Sequence, residues 1–156
     1  MEINLLTNYQ KYILDVSMMI YKEFVEGTNS KKTFRDVVCF FENTNVNTFP
    51  ITFIAIINNK CVGTVSVFEN DLEELPQYKP WLASLYVDPE YRSQKIGKQL
   101  INFLLDYMGR LGYKEVFLKT ENASNYYIKR GWHLIESLKD SQDEQVDIFK
   151  YILKMD

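Results

Sequence analysis

Apolar residues recur along this chain at two spacings, and each spacing predicts a different secondary structure. Over residues 8–25 and 96–111 they recur every three or four positions, which is typical of a helix with one buried face. Shorter helices are predicted from Thr33 to Phe41 and over 123–129. The strands predicted from alternating or continuous apolar runs are 3–6, 51–57, 61–68, 81–87, 115–119, 132–138 and 145–153.

Turn and capping residues indicate where several of these elements end. Asn58-Asn59 predicts a tight turn between two strands, because asparagine tolerates positive φ. Gly112 occupies the left-handed cap position after the long helix. Thr33 opens its helix with Asp36 where a capping box usually has glutamate, so we expect a weak capping box there.

The order of these elements indicates the class of fold. The predicted order is a strand, two helices, three strands, a helix, a strand, a helix and two strands. This order is an α/β pattern with a mixed sheet. The strand–helix–strand unit over 82–119 is expected to be parallel and right-handed. Ligands of such sheets favour the carboxyl ends of the strands, where the connection after residue 87 lies.

Composition and charge narrow the class of protein. A chain of 156 residues predicts one domain over residues 1–156, and 46% hydrophobic with 25% charged residues is typical of a soluble fold. No apolar run reaches the roughly 18 residues of a membrane span, and the N-terminus lacks the pattern of a secretory leader. We therefore expect a cytoplasmic protein. A formal net charge of −3 argues against nucleic acid as a partner.

The two cysteines do not suggest chemistry. Cys39 and Cys61 have neither the spacing of a disulfide framework nor that of a metal site. Both are interpreted as small buried apolar residues, and a reducing compartment is expected. No metal is expected.

The connection from the strand at 81–87 into the long helix is the strongest candidate for a site. Asp88-Pro89 ends the strand, and Arg92–Lys95 forms a polar loop before Gly97. Free backbone N–H groups and the positive end of a helix dipole meet at such a helix start, which favours an anion. An ordinary strand–helix connection with solvated charges remains the alternative.

Two motifs in this part of the chain resemble those of the GNAT N-acetyltransferase superfamily. YVDPEYRSQKIGKQL is similar to its pyrophosphate loop, Q/R-x-x-G-x-G/A, with Arg92 and Gly97 matching and Lys95 in place of the first glycine. ENASNYYIKRGW is similar to A-x-x-x-Y-x-x-x-G-F, with Tyr127 and Gly131 in register. The stretches GTVSVFENDL and PWLASLYVDPEYR resemble bacterial members with unassigned substrates.

The resemblance implies a fold and an activity. The fold would be GNAT-like: a mixed, mostly antiparallel twisted sheet of six to seven strands flanked by about four helices, in the order βααβββαβαββ. The activity would be transfer of the acetyl group of acetyl-CoA to a primary amine of a small, cationic molecule or a peptide. A coenzyme-binding sensor without turnover and an interaction module that keeps only the fold remain alternatives, and a homodimer is possible.

The resemblance also implies which residues hold the coenzyme. The strand edge would pair with the pantetheine arm through backbone groups, and the loop N–H groups would hold the pyrophosphate, aided by the charge of Arg92. Two asparagines near the second motif would bond the pantetheine or phosphate region. The coenzyme-binding residues implied in this way are Leu85, Tyr86, Val87, Arg92, Ser93, Gln94, Lys95, Ile96, Gly97, Lys98, Asn122 and Asn125.

Two residues are implied as catalytic. Tyr127 would donate a proton to the departing thiolate, and its alternative is a core aromatic residue. Asp71, in the acidic segment ENDLEELPQYKP, is the favoured general base, and its alternative is a solvated acidic loop that also holds Glu69, Glu73 and Glu74. His133 is interpreted as a half-buried structural residue.

Lys95 is the departure from the motif with a physical consequence. Glycine at this position permits positive φ and a close approach of the backbone to a phosphate. Lysine offers the same N–H if its φ is negative, and its ammonium adds a point charge. If φ is positive, the sequence predicts a strained loop and weaker coenzyme binding.

Overall fold

The computed structural model describes residues 1–154, and over these residues the α/β pattern is confirmed. The strands are β1 (Glu2–Leu5), β2 (Ile51–Ile57), β3 (Lys60–Phe68), β4 (Trp81–Val87), β5 (Glu115–Thr120), β6 (His133–Lys139) and β7 (Gln145–Ile152). The α-helices are α1 (Ile13–Ile20), α2 (Phe34–Glu42), α3 (Ile96–Arg110) and α4 (Ser124–Lys129). The predicted order of elements is therefore confirmed, and every boundary outside the first helical segment lies within a residue or two of its prediction.

The chain forms two compact units. The first comprises Met1–Val67 with Ser84–Leu104, and the second comprises Phe68–Ala83 with Leu105–Asp156. In the first unit β1, β2, β3 and the second half of β4 are neighbours in that order. The β1–β2 and β2–β3 pairs are antiparallel. The predicted turn at Asn58 and Asn59 is confirmed, since both residues have positive φ, 49° and 62°.

The predicted continuous helix over 8–25 is wrong. Two 3₁₀ turns at Leu6–Asn8 and Gln10–Tyr12 precede α1, and a π-helical turn at Tyr21–Val25 follows it. Apolar residues spaced by three or four suit all three kinds of helix, so periodicity could not separate them. Although Leu14, Met18 and Phe24 are exposed, most apolar side chains of the segment still face one core. Its buried members from this segment are Leu6, Tyr12, Val16, Ile20 and Val25.

Helix α2 corrects two further expectations. The capping box is complete: Asp36 N–H donates to Thr33 Oγ1 at 3.1 Å and Thr33 N–H donates to Asp36 Oδ2 at 2.8 Å. The shorter aspartate therefore still reaches the N-cap N–H. Cys39 lies exposed on this helix and not in the core, whereas Cys61 is buried as expected. The exposed position follows from the helix face, because Val37 and Phe41 point into the core.

The second unit contains the first half of β4 and then β5, β7 and β6, in that order. The pairing of β4 with β5 joins Trp81 to Phe117 and is parallel, which confirms the predicted parallel arrangement of this strand–helix–strand unit. The β5–β7 and β6–β7 pairs are antiparallel. One face of this sheet packs into a core whose buried members are Leu72, Leu75, Trp81, Phe117, Val146 and Ile148.

Two glycines end helices in the way the sequence predicted. Gly112 has φ 95°, and Tyr113 N–H behind it donates to Met108 O, which closes α3. Gly131 has φ 90°, and Trp132 N–H donates to Tyr127 O, which closes α4. The short helix that carries Tyr127 therefore ends in a fixed conformation.

Candidate active site

Strand β4 changes conformation at its middle. Ser84 has φ 56°, a left-handed conformation that is rare for a non-glycine residue inside a strand. Leu85, Tyr86 and Val87, the predicted pantetheine edge, follow it and are half-buried. A left-handed residue redirects the backbone groups that come after it, as in a β-bulge. The strand edge is thus locally distorted just before the candidate loop.

The side chain of Arg92 connects the loop to strand β4. Its Nε donates to the carbonyl oxygen of Val87 at 2.9 Å, and its guanidinium carbon lies 5.4 Å from the centroid of the Tyr86 ring. Asp88 fixes the preceding turn, because its N–H donates to Val62 O and its Oδ1 accepts from Glu90 N–H. The guanidinium remains exposed, so the same side chain holds the loop and leaves its outer N–H groups facing solvent.

Two loop residues take the left-handed conformation. Ser93 has φ 68° and Lys95 has φ 65°, with Gln94 between them. Lys95 therefore adopts the conformation that the motif's glycine permits, at a cost of roughly 1–2 kcal/mol for a residue with a Cβ. Left-handed residues in such a turn direct successive N–H groups toward one side, which makes an anion-binding concavity.

Helix α3 begins directly after this loop. The first intrahelical hydrogen bond runs from Gln99 N–H to Lys95 O at 3.1 Å. The N–H groups of Ile96, Gly97 and Lys98 lie in the helix's first turn, where no carbonyl of the same helix can accept them. Lys95 and Lys98 are exposed beside them. Free donors, a helix dipole and cationic side chains fit a diphosphate group.

Two glycines near the loop differ in what they permit. A Cβ on Gly97 would lie 3.8 Å from Val87 Cγ2, an ordinary contact. A Cβ on Gly63 would lie only 3.1 Å from Tyr86 O and 3.2 Å from Leu100 Cδ1. Gly63 therefore allows β3 to approach the backbone of Tyr86 and helix α3 closely. The sequence reading did not identify Gly63, because a glycine in a strand has many explanations.

Tyr127 lies in the second unit, on α4. Its side chain is 9% exposed, and its ring contacts those of Trp132 and Phe149 with centroids at 5.8 Å and 6.1 Å. Burial, with a smaller contribution from Tyr126 and against a lowering by Arg130, raises the pKa of Tyr127 to about 12. The phenol is therefore protonated throughout the neutral range, as a proton donor must be. The ring is also a core aromatic, so the two interpretations of this residue are compatible.

Asp71 is held by a lysine of β5. Lys119 Nζ donates to the backbone oxygen of Asp71 at 2.9 Å and lies 4.0 Å from its Oδ2. Among its acidic neighbours, Glu69 pairs with Lys79 at 3.5 Å, and Glu73 and Glu74 are exposed. The acidic segment is therefore partly neutralised by its own lysine contacts.

The remaining candidates in the second unit border α4. Asn122 and Asn125 are exposed, one before the helix and one within it. His133 is exposed at the start of β6, so the expectation of a half-buried histidine is wrong. The strand end places it beyond the core, which a single-sequence pattern does not show. Trp81 and Trp132 are buried in the core.

A carboxylate that the sequence reading missed lies beside α4. Asp147 accepts from Ser124 Oγ at 2.6 Å and from Ser137 Oγ at 2.7 Å. These two hydroxyls, Ser124 first, lower the pKa of Asp147. The sequence pattern that could have identified Asp147 is an aspartate on the strand face that also carries Phe149 and Tyr151.

Two other kinds of site are absent from the part of the chain that the structure describes. Within residues 1–154, no three or more His, Cys, Asp or Glu side chains group in a way that could hold a metal ion. None of the helices in that range is long and apolar enough to cross a membrane.

Comparison with known proteins identifies the class. The acetyltransferase (GNAT) family model matches residues 17–132, and the chain belongs to this family. It is an acyl-CoA-dependent N-acetyltransferase. A curated relative, N-alpha-acetyltransferase 30 of Schizosaccharomyces pombe, is 28% identical over 148 residues, which cover 92% of this chain and 92% of that protein.

Solved structures agree on the fold. A crystal structure of aminoglycoside 6'-N-acetyltransferase complexed with coenzyme A has a TM-score of 0.78 at 17% identity, covering 100% of this chain and 99% of that one. The aminoglycoside 6'-N-acetyltransferase from Enterococcus faecium has a TM-score of 0.74 at 17% identity, with coverage of 100% and 99%. At these identities the likeness concerns the fold alone.

Proposed function

We propose that this chain, as a single domain over residues 1–156, transfers the acetyl group of acetyl-CoA to a primary amine of a small cationic molecule or a peptide. One observation carries the proposal: the Arg92–Lys95 loop has left-handed residues at Ser93 and Lys95 and leads directly into the first turn of α3. Such a loop suits the diphosphate of a nucleotide coenzyme.

The loop and strand β4 would hold the coenzyme. N–H groups from Gln94 to Lys98 bind the diphosphate, and the exposed N–H groups of Arg92 add charge-assisted hydrogen bonds. Backbone groups of Leu85–Val87 bind the pantetheine arm as an added strand would. Asn122 and Asn125 bond the pantetheine or phosphate region. Acetyl-CoA supplies the acetyl group in activated form, as a thioester.

Three groups of this chain would act at the reacting atoms. A backbone N–H of Leu85–Val87 donates to the acetyl carbonyl oxygen and stabilises the charge that develops there. Tyr127 holds its proton at neutral pH and gives it to the departing sulfur. Asp71 accepts the proton of the attacking amine, directly or through water. Lys119 keeps Asp71 in place by its hydrogen bond to the Asp71 carbonyl.

The acceptor class rests on charge. Glu73 and Glu74 are exposed, and the segment they share with Asp71 would attract a cationic amine. The relatives support amines of different sizes, since one is an N-alpha-acetyltransferase and others are aminoglycoside 6'-N-acetyltransferases. Replacing Glu73 and Glu74 with glutamine should raise KM for a cationic acceptor and flatten its salt dependence. An unchanged salt response would assign these residues to a solvated surface.

Coenzyme binding is tested by thermal unfolding with acetyl-CoA. At about 100 times its Kd, the ligand should add roughly 2.7 kcal/mol to the free energy of unfolding. Arg92→Ala should weaken binding about tenfold. Arg92→Lys keeps the charge and loses the Nε bond to Val87 O, so it separates the two roles of the side chain. Arg35→Ala, an exposed arginine on α2, is the control and should bind normally. An unshifted melting curve at millimolar acetyl-CoA would overturn the proposal.

Turnover separates the enzyme from a sensor. The strained Lys95 favours the sensor as the second candidate, because a weakened loop binds the coenzyme less productively. Thiol release from acetyl-CoA is measured with polyamines, aminoglycosides, amino acids and peptides with free amino groups. Acceptor-dependent release supports transfer. Coenzyme binding without release for any of them supports the sensor.

A further inference from the structure

Helix α4 packs along one row of strand β7. Asp147, Phe149 and Tyr151 alternate along the strand and therefore share one face. Ser124 contacts Asp147, the Tyr127 ring contacts Phe149, and Trp132 contacts Tyr151. The row thus has one polar position at the start of the helix and two aromatic positions further along.

The polar position is a carboxylate with both oxygens engaged. Its Oδ2 accepts from Ser124 Oγ at 2.6 Å, and its Oδ1 accepts from Ser137 Oγ on β6 at 2.7 Å. Hydrogen bonds from a neutral donor to an ionised acceptor are about twice as strong as those between neutral groups. Asp147 therefore ties the first residue of α4 to two strands of the sheet.

The stability of a helix as short as α4 depends on hydrogen bonds to the rest of the fold. α4 has six residues, and isolated helices below about 12 residues are marginal in water. Its start is held by two side-chain bonds: Ala123 N–H donates to Thr120 Oγ1, and Ser124 Oγ donates to Asp147. Tyr127 lies three residues after Ser124, one turn further along the same face. We therefore expect a shift at Ser124 to displace Tyr127 as well.

We propose that Asp147 is a positioning residue for acetyl transfer: through Ser124 it fixes α4 and so the place of the Tyr127 hydroxyl. This inference rests on the proton-donor role proposed above for Tyr127. Asp147 does not touch the reacting atoms in this role. Its loss should act on turnover only while the Tyr127 hydroxyl is present.

The test combines substitutions on both sides of this contact with Tyr127→Phe. Ser124→Ala and Asp147→Ala each remove the tie to α4, and each should lower kcat about tenfold or more, since small misplacements of a reacting group are costly. Ser124→Thr keeps a hydroxyl and should restore kcat. Ser137→Ala removes the other bond of Asp147 without touching α4, and should keep kcat within about twofold of the parent.

The discriminating measurement is the same series in a Tyr127→Phe background, with thiol release from acetyl-CoA to pentapeptides carrying free α-amino groups. Ser124→Ala should then cost nothing further. Two results would overturn this inference and leave the donor role of Tyr127 intact, provided that Tyr127→Phe itself has a lowered kcat. One is that Ser124→Ala lowers kcat by the same factor with and without Tyr127→Phe, and the other is that Ser124→Ala alone keeps full kcat. Full kcat in Tyr127→Phe would instead overturn the donor role itself, and the inference with it.

Amide exchange gives a readout that does not need turnover. Tyr127 N–H donates to Ala123 O in the first turn of α4. Its exchange should become about tenfold faster in Ser124→Ala and stay unchanged in Ser137→Ala. Unchanged exchange in Ser124→Ala would contradict the inference. Ser124→Ala leaves Asp147 its hydrogen bond from Ser137 Oγ, so this variant carries the test even if Asp147→Ala does not fold.

Discussion

The Arg92–Lys95 loop and helix α4 are built in opposite ways. The loop is exposed and presents its backbone, with Ser93 and Lys95 in the left-handed conformation. Helix α4 has one buried side chain, that of Tyr127, which packs against two aromatic rings. Gly131 caps the end of the helix. In the function proposed above, the loop would bind the coenzyme through main-chain groups, and α4 would act through the single hydroxyl of Tyr127.

This difference predicts how each region responds to substitution. Backbone donors survive a change of side chain as long as φ and ψ are kept, which is why lysine can stand where the family motif has glycine. A hydroxyl has no such redundancy. Changes in the loop should therefore alter coenzyme affinity by modest factors, whereas changes at Tyr127 should alter turnover by large ones.

The largest expected effect is that of Tyr127→Phe. This change removes only the phenol oxygen and keeps the ring that packs on Trp132 and Phe149. If the hydroxyl protonates the leaving thiolate, kcat should fall by roughly 10² to 10⁴. The affinity for acetyl-CoA should change little, because the loss occurs in the transition state. Steady-state thiol release and thermal shift measure the two quantities.

Tyr126→Phe is the matched control. Tyr126 is the neighbouring tyrosine, half-buried, with Arg130 stacked 3.5 Å from its ring centroid. It faces about 100° away on the helix and should keep nearly full kcat. Equal turnover of the two variants would show that another group protonates the thiolate. Unfolding of Tyr127→Phe would assign this tyrosine to the core alone.

The pH dependence of stability sharpens the same comparison. Burial raises the pKa of Tyr127 to about 12, whereas an unfolded tyrosine ionises near 10. The unfolded state therefore loses its proton first, and stability is lost as pH rises from about 10 to 12, at up to about 1.4 kcal/mol per unit. Tyr127→Phe should lack this part of the slope in denaturant unfolding. An identical slope would mean that Tyr127 titrates normally.

The sequence predicted the order of elements well because each element had a local cause. Alternation and period gave the strands and α3, and the asparagine pair and Gly112 gave a turn and a cap. The segment over 6–25 was misjudged because three helix types share nearly the same apolar spacing. Only the backbone hydrogen bonds, such as Glu26 N–H to Tyr21 O, separate them.

The candidate site was predictable to the extent that it lies on contiguous motifs. The loop and the register of Tyr127 were visible as short patterns. The Lys119–Asp71 contact and the Ser124–Asp147 contact join residues 48 and 23 positions apart. These contacts join a strand to a loop and to a helix, and no single-sequence pattern specifies such tertiary packing. The sequence likewise left the sign of φ at Lys95 open, because a lysine can adopt either a positive or a negative φ.

Gly63→Ala tests how tightly the backbone of β4 is packed. The added Cβ would lie 3.1 Å from Tyr86 O, a backbone atom with little room to move. We expect a loss of about 1–3 kcal/mol in stability and weaker acetyl-CoA binding, because Tyr86 belongs to the proposed pantetheine edge. Gly109→Ala is the control: its Cβ would meet Lys154 O at 3.8 Å within a helix, and it should stabilise by about 0.5–1 kcal/mol. Equal changes in stability for Gly63→Ala and Gly109→Ala would show that the backbone at Tyr86 moves aside without a cost in free energy.

The smallest expected effect separates backbone strain from charge in the loop. Lys95→Gly and Lys98→Gly each remove one exposed ammonium at the start of α3, so they share the loss of charge. They differ in backbone, because Lys95 has φ 65° and Lys98 is helical. Lys95→Gly should stabilise the fold by about 1 kcal/mol, and Lys98→Gly should destabilise it by about 0.5–1 kcal/mol. Both should flatten the salt dependence of acetyl-CoA binding, while at high salt Lys95→Gly should bind at least as tightly as the parent. If both variants lose stability equally, the left-handed lysine is not strained, and the loop tolerates it without cost.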